Sequence, residues 1–90
     1  MDATKTFYQR TGRDGLERYI REHCLHRVVK NDGVELRRLL EESDSIIDLK
    51  HKGNFVFEVQ TLRFGTILIW TEPADEEAEY IRITGYSIKP

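Results

Sequence analysis

The hydrophobic period of this chain changes once, after Ser43, and that change limits the folds open to it. Before it, "DGLERYIREHCLHRVVK" places Leu16, Ile20, Cys24 and Val28 four residues apart on one helical stripe behind Asp14, a good N-cap. A helix is expected over 14–30. "NDG" interrupts it, and "GVELRRLLEESD" reads as a second helix, with Leu36, Leu39 and Leu40 on one face. The pairs Arg37/Glu41 and Arg38/Glu42 stand at the i,i+4 spacing on the other face. After Ser43 the pattern alternates. "SIIDLKH" sets Ile47 and Leu49 against Asp48 and Lys50, "KGN" has turn chemistry, and "FVFEVQTL" sets Phe55, Phe57 and Val59 against Glu58 and Gln60. "TILIWTE" is apolar on both faces, which suits an interior strand, and "YIRITGYSI" sends Ile81 and Ile83 away from Tyr80, Arg82, Thr84 and Tyr86. The expected fold is α+β, with two N-terminal helices packed on one face of a four-stranded antiparallel sheet.

A chain of 90 residues holds one core, so 1–90 is expected to be a single domain, with 1–13 as a flexible arm or an edge strand. "ILIW" is far shorter than the roughly 20 apolar residues of a membrane span, and "MDATKTFYQRTGRDG" has no apolar leader. The one cysteine, Cys24, suits a reducing compartment, so a cytoplasmic location away from membranes is expected. Net charge is −2, which disfavours a general nucleic-acid-binding regulator. The charge is uneven: residues 1–30 carry a balance of +3, residues 31–60 of −3 and residues 61–90 of −2.

"REHCLHRVV" concentrates chemistry-bearing side chains. At about 100° per residue around a helix, His23 and Arg27 fall beside Leu16 and Ile20, with Tyr19, His26 and Lys30 on the same flank. A polar group bordering an apolar stripe is either hydrogen-bonded at the core edge or opens into a groove. Metal binding by His23, Cys24, His26 and His51 is not expected, because Cys24 points about 100° away from the two helical histidines and a structural zinc site needs four converging ligands. Cys24 lies on the apolar stripe, where thiols are inert. No cofactor is implied. On the last strand, Tyr80, Arg82, Thr84 and Tyr86 share one face by the period of two and look toward Glu58, Gln60 and Trp70. Such a face can hold a phosphate and stack a base, or it can be ordinary cross-strand packing.

This layout resembles the RelE-type toxins of the barnase–EndoU–colicin–RelE fold group. "HCLHRV" is similar to the H-A-x-x-R-M helix motif of a related uncharacterised domain family, with His23 on its His and Arg27 on its Arg. "VELRRLLEESDSIID" and "GTILIWTEP" resemble that family's helix-to-strand passage and central strand, so the likeness spans roughly residues 20–88. The resemblance implies a RelE-like fold and two functional expectations. One is a catalytically silent protein-interaction or inhibitor module, of phage or mobile-element type, that binds one host or cognate protein. Tyr19, His26, Lys30, Trp70 and Tyr80 would contribute contacts. The alternative is a metal-independent toxin-like endoribonuclease acting on RNA. His23 or Glu58 would be its base, Arg27 and Arg82 its phosphate clamps, and Tyr86 a stacking or acid group.

Overall fold

The computed structural model describes residues 12–89. Two helical segments and five strands follow one another as α1 (Arg13–Tyr19, continued by a wide π-helical turn at Ile20–Cys24), β1 (Val28–Lys30), α2 (Val34–Leu40), β2 (Ile46–Gly53), β3 (Val56–Thr61), β4 (Gly65–Pro73) and β5 (Tyr80–Ile88). All strand pairs are antiparallel, in the order β1-β5-β4-β3-β2. The α+β class and the meander of the last four strands are as expected. The fifth strand, β1, corrects the four-stranded topology, and it separates the two helices. Of the arm or edge strand expected at 1–13, residues 1–11 lie outside the described residues, while Arg13 opens α1.

The first helix stops at Cys24, six residues before the expected end. Its last turn opens to an i→i+5 bond in which the Leu25 N–H donates to the Ile20 carbonyl at 2.9 Å, and His26 then takes φ 69°, which turns the chain back. From there the backbone is claimed by β5. The His26 N–H donates to the Ile83 carbonyl at 2.8 Å, and the Ile83 N–H to the Arg27 carbonyl at 3.0 Å. Val28 and Val29, β-branched and suited to a pleated surface, form β1 opposite Arg82 and Ile81. Val28, expected on the buried stripe, is therefore exposed, and Val29 is buried in its place.

One face of the sheet carries the core. Leu16, Ile20 and Cys24 from the first helix and Leu36 and Leu40 from α2 cover Phe57, Val59, Ile67, Ile69, Ile81 and Ile83. β4 lies in the middle of the sheet, as the two-faced apolar run "TILIW" requires, with Ile67 and Ile69 fully buried. Two bulges change which side chains reach this face. In β2 the register slips between Ile46 and Asp48, so Ile46 is buried and Ile47, expected inside, is 61% exposed. Between β4 and β5 the pairs step from Trp70–Gly85 to Thr71–Ile83, leaving Thr84 unpaired. Phe55 is also moved: with Asn54 it forms the β2–β3 turn at positive φ rather than starting the strand.

Both sheet edges are closed by side chains, a common protection against unwanted strand pairing. The outward Lys30 N–H donates to Glu35 Oε2 at 2.8 Å, Arg37 Nη2 donates to the Ile46 carbonyl at 2.8 Å, and the Leu49 N–H donates to its neighbour Asp48 at 2.9 Å. α2 begins after Gly33, whose φ of 80° favours glycine and where a Cβ would press on Leu49 Cδ2 at 3.1 Å.

Burial of Cys24 pushes its thiol up to about 12, against a smaller opposing pull from the Arg27 charge. The thiol is therefore expected to resist an alkylating reagent in the native protein at neutral pH and to react at the rate of unfolding. Cys24→Ala should keep the fold at a cost of about 1 kcal/mol. Rapid native labelling, followed by mass spectrometry, contradicts this.

Candidate functional site

Two surfaces bring the chemistry-bearing residues together, and the division between them differs from the expected one. The first is a cleft of about 560 Å³ bounded by the end of the first helix, the edge of β1, and α2 with the turn after it. His23 and Arg27 both line it, although they are not one turn apart on a helix as expected, because the helix has ended between them. Tyr19 forms the cleft's inner wall. It is buried, its hydroxyl donates to the Leu39 carbonyl at 2.7 Å, and the His23 ring lies 5.1 Å from its own at a 31° tilt. His26 and Lys30 leave this flank: His26 sits in the turn, and Lys30 stands on β1 opposite Tyr80.

The opposite wall comes from residues for which the sequence suggested another role. Glu35, Arg38 and Glu42 line the cleft. Arg37 and Glu41 form their expected pair at 3.8 Å, whereas Arg38 and Glu42 form no ion pair. α2 ends at Leu40, so Glu42 stands in the following turn and the helical spacing no longer brings the two together. Glu42 Oε2 is shielded from solvent and has no hydrogen-bond donor among the described residues. The only trace of this wall in the sequence is that the helix pattern weakens at "EESD", which leaves Glu42 beyond the last apolar residue, Leu40.

The second surface is the sheet face turned away from the helices. Trp70 is its centre: paired with Val56 on one side and Gly85 on the other, its ring lies over the glycine, where an added Cβ would meet Cε3 at 3.5 Å. Trp70 is 38% exposed, Val28 44% and Tyr80 45%. Charges surround them in matched pairs. Arg82 meets Glu72 at 3.2 Å, Lys52 meets Glu58 at 3.2 Å, and Lys50 meets Asp48 at 3.8 Å. The Lys52 hydrogen bond holds the Glu58 carboxyl below its usual range, opposed by desolvation, the next largest influence, and helped by the Lys52 charge, Gln60 and Lys89. A carboxylate held ionised in this way is a weak base.

The five groups expected to act together are thus divided. His23 and Arg27 line the cleft, Glu58 and Arg82 lie on the open sheet face, and Tyr86 lies on the helix-covered face. The Thr84 bulge is responsible for the last. Tyr86 pairs with buried Ile69 and receives a hydrogen bond from Arg21 Nη1 at 3.3 Å, so the expected row of Tyr80, Arg82, Thr84 and Tyr86 is broken after Arg82. Among the described residues no group of three His, Cys, Asp or Glu side chains is placed to hold a metal ion, and no helix is long and apolar enough to cross a membrane. A scan against protein-family models finds no match for the chain, and searches of curated proteins and of solved structures find none either.

Proposed function

We propose that the chain is a protein-interaction module, a stoichiometric binder that docks one protein partner on the open face of its sheet. The observation carrying this reading is the exposure of Trp70, Val28 and Tyr80 on one sheet face, set among ion pairs. Trp, Tyr and Arg are the residues that dominate binding energy at protein interfaces, most of all where an aromatic ring fills a partner's pocket. The surrounding charges favour protein over RNA. Arg82, Lys52 and Lys50 are each matched by a carboxylate, so a phosphate backbone laid on this face meets Glu72, Glu58 and Asp48 as well. A protein surface of mixed charge can complement such a pattern.

Affinity purification with the wild-type chain, followed by binding measurements on the purified partner, tests the proposal. Trp70→Ala is expected to weaken binding by about 2 kcal/mol or more, roughly 30-fold, while Ile47→Ser, at an exposed residue of the outer strand β2, leaves it unchanged. Equal binding by Trp70→Ala and the wild type contradicts the proposal. One observation favours a second reading, metal-independent RNA cleavage on a RelE-like fold: His23 and Arg27 share the cleft. On that reading His23→Ala lowers cleavage about 10²–10⁴-fold with little change in melting temperature. On ours, the wild type does not cleave RNA.

A further inference from the structure

At the outer edge of β1 we infer a second docking site, one that takes an extended, acidic segment of a protein partner as an added strand. This goes beyond the sheet-face reading and does not depend on it. Backbone pairing between β1 and β5 alternates, as it does in antiparallel ladders. The Ile83 N–H donates to the Arg27 carbonyl at 3.0 Å and the Asn31 N–H to the Glu79 carbonyl at 2.8 Å, so the odd-numbered residues here turn their backbone groups to β5. Val28 and Lys30 turn theirs outward, where β1 is the last strand of the sheet. Glu35 takes the Lys30 N–H at 2.8 Å, whereas the Val28 N–H and carbonyl have no partner among the described residues. Glu35 therefore closes this edge at Lys30 and leaves it open at Val28. A donor and an acceptor on one edge residue are what an added strand pairs with.

The chemistry of the incoming segment follows from the side of the sheet its side chains reach. They alternate, so every second one enters the cleft of about 560 Å³ on the helix side of the edge. Arg27 shares the parity of buried Val29 and stands on that side, and Arg38 lines the same cleft from α2. Neither guanidinium makes a hydrogen bond or ion pair with another described residue. Of the two carboxylates in the lining, Glu35 is engaged by the Lys30 N–H, and Glu42 has one oxygen shielded from solvent. The charge left for an incoming side chain is positive, which selects Asp or Glu at the positions that enter the cleft. The same charge opposes pairing of β1 with β1 of a second copy, since the arginines of one copy would stand against those of the other.

The test is a titration of the ¹⁵N-labelled full chain at constant ionic strength, following the chemical shift and the hydrogen exchange of the Val28 amide. The probe is a short peptide of alternating glutamate and threonine, blocked at both ends. One control peptide has glutamine in place of glutamate, and a second has its backbone nitrogens methylated, which removes the donors of an added strand. The probe is expected to saturate and to slow exchange of the Val28 amide about tenfold or more. Each control should bind about tenfold or more weakly, the effect of one lost charge-assisted or backbone hydrogen bond. Arg38→Gln should bring the glutamate peptide down to the level of the glutamine peptide. The inference is overturned if the probe does not saturate below about 10 mM, a range of very weak binding, if either control binds as tightly, or if Arg38→Gln keeps the preference for glutamate. Shifts centred on the Trp70 indole with the Val28 amide unprotected put the peptide on the open sheet face and overturn it too. So does protection of Val28 that grows with protein concentration in the absence of peptide, because the occupant of the edge is then a second copy of the chain.

Discussion

Asp44→Ala is expected to lose about 3 kcal/mol of stability, the lower end of the range for breaking a buried ion pair. Asp44 is buried at the end of the turn after α2 and collects three donors: the Ser45 N–H at 2.8 Å, the Arg63 N–H at 2.9 Å and Arg63 Nε at 3.2 Å. Arg63 Nη2 donates in addition to the Ser43 carbonyl at 2.9 Å. The cluster ties the helical half of the chain to the β3–β4 turn, and removing the carboxylate leaves two backbone donors and a guanidinium to be rehydrated. Arg63 is a third exposed, so its charge can reach water, which is why the lower end applies. Urea denaturation checks this. A loss under 1 kcal/mol shows that water replaces the carboxylate without difficulty.

Ile69→Ala carries the second large effect, about 2–5 kcal/mol for an aliphatic side chain truncated in a core. Ile69 is fully buried at the middle of the central strand, between Phe57 and Tyr86 on the neighbouring strands, and belongs to the core to which both helices contribute. The cavity has little means of closing, because strands flank it on both sides. Ile47→Ser on the outer strand should stay within about 0.5 kcal/mol of wild type, as exposed positions do. Equal losses at the two positions contradict the burial pattern.

The meander was legible because alternation is a local property: Phe57, Val59, Ile67, Ile69, Ile81 and Ile83 all fall on the face their parity assigns them. The features that arrange the candidate sites were not local. The Leu16–Ile20–Cys24 stripe continues to Val28 in sequence, and the end of the helix is set by the backbone of Ile83, more than fifty residues away, with the Val28–Val29 pair as the only local hint. Parity fails at bulges, which depend on the partner strand. Ile47 and Tyr86 each stand on the face opposite to their parity for this reason, and the place of Tyr86 breaks the expected row of Tyr80, Arg82, Thr84 and Tyr86. The cleft was hidden by a helix ending four residues early, since Arg38 and Glu42 have i,i+4 spacing only on paper once Glu42 leaves the helix.

Trp70 is the only tryptophan in the chain, so replacing it with 5-fluorotryptophan gives the open sheet face a single ¹⁹F resonance. The most direct test of protein docking on that face is to record this resonance in a lysate of cells that hold the partner, after treating the lysate either with ribonuclease or with an immobilised protease that is then removed. Docking of a protein predicts a new, saturable resonance that survives ribonuclease and disappears after protease. A new resonance abolished by ribonuclease, or none at all while the chain is bound to its purified partner, contradicts it.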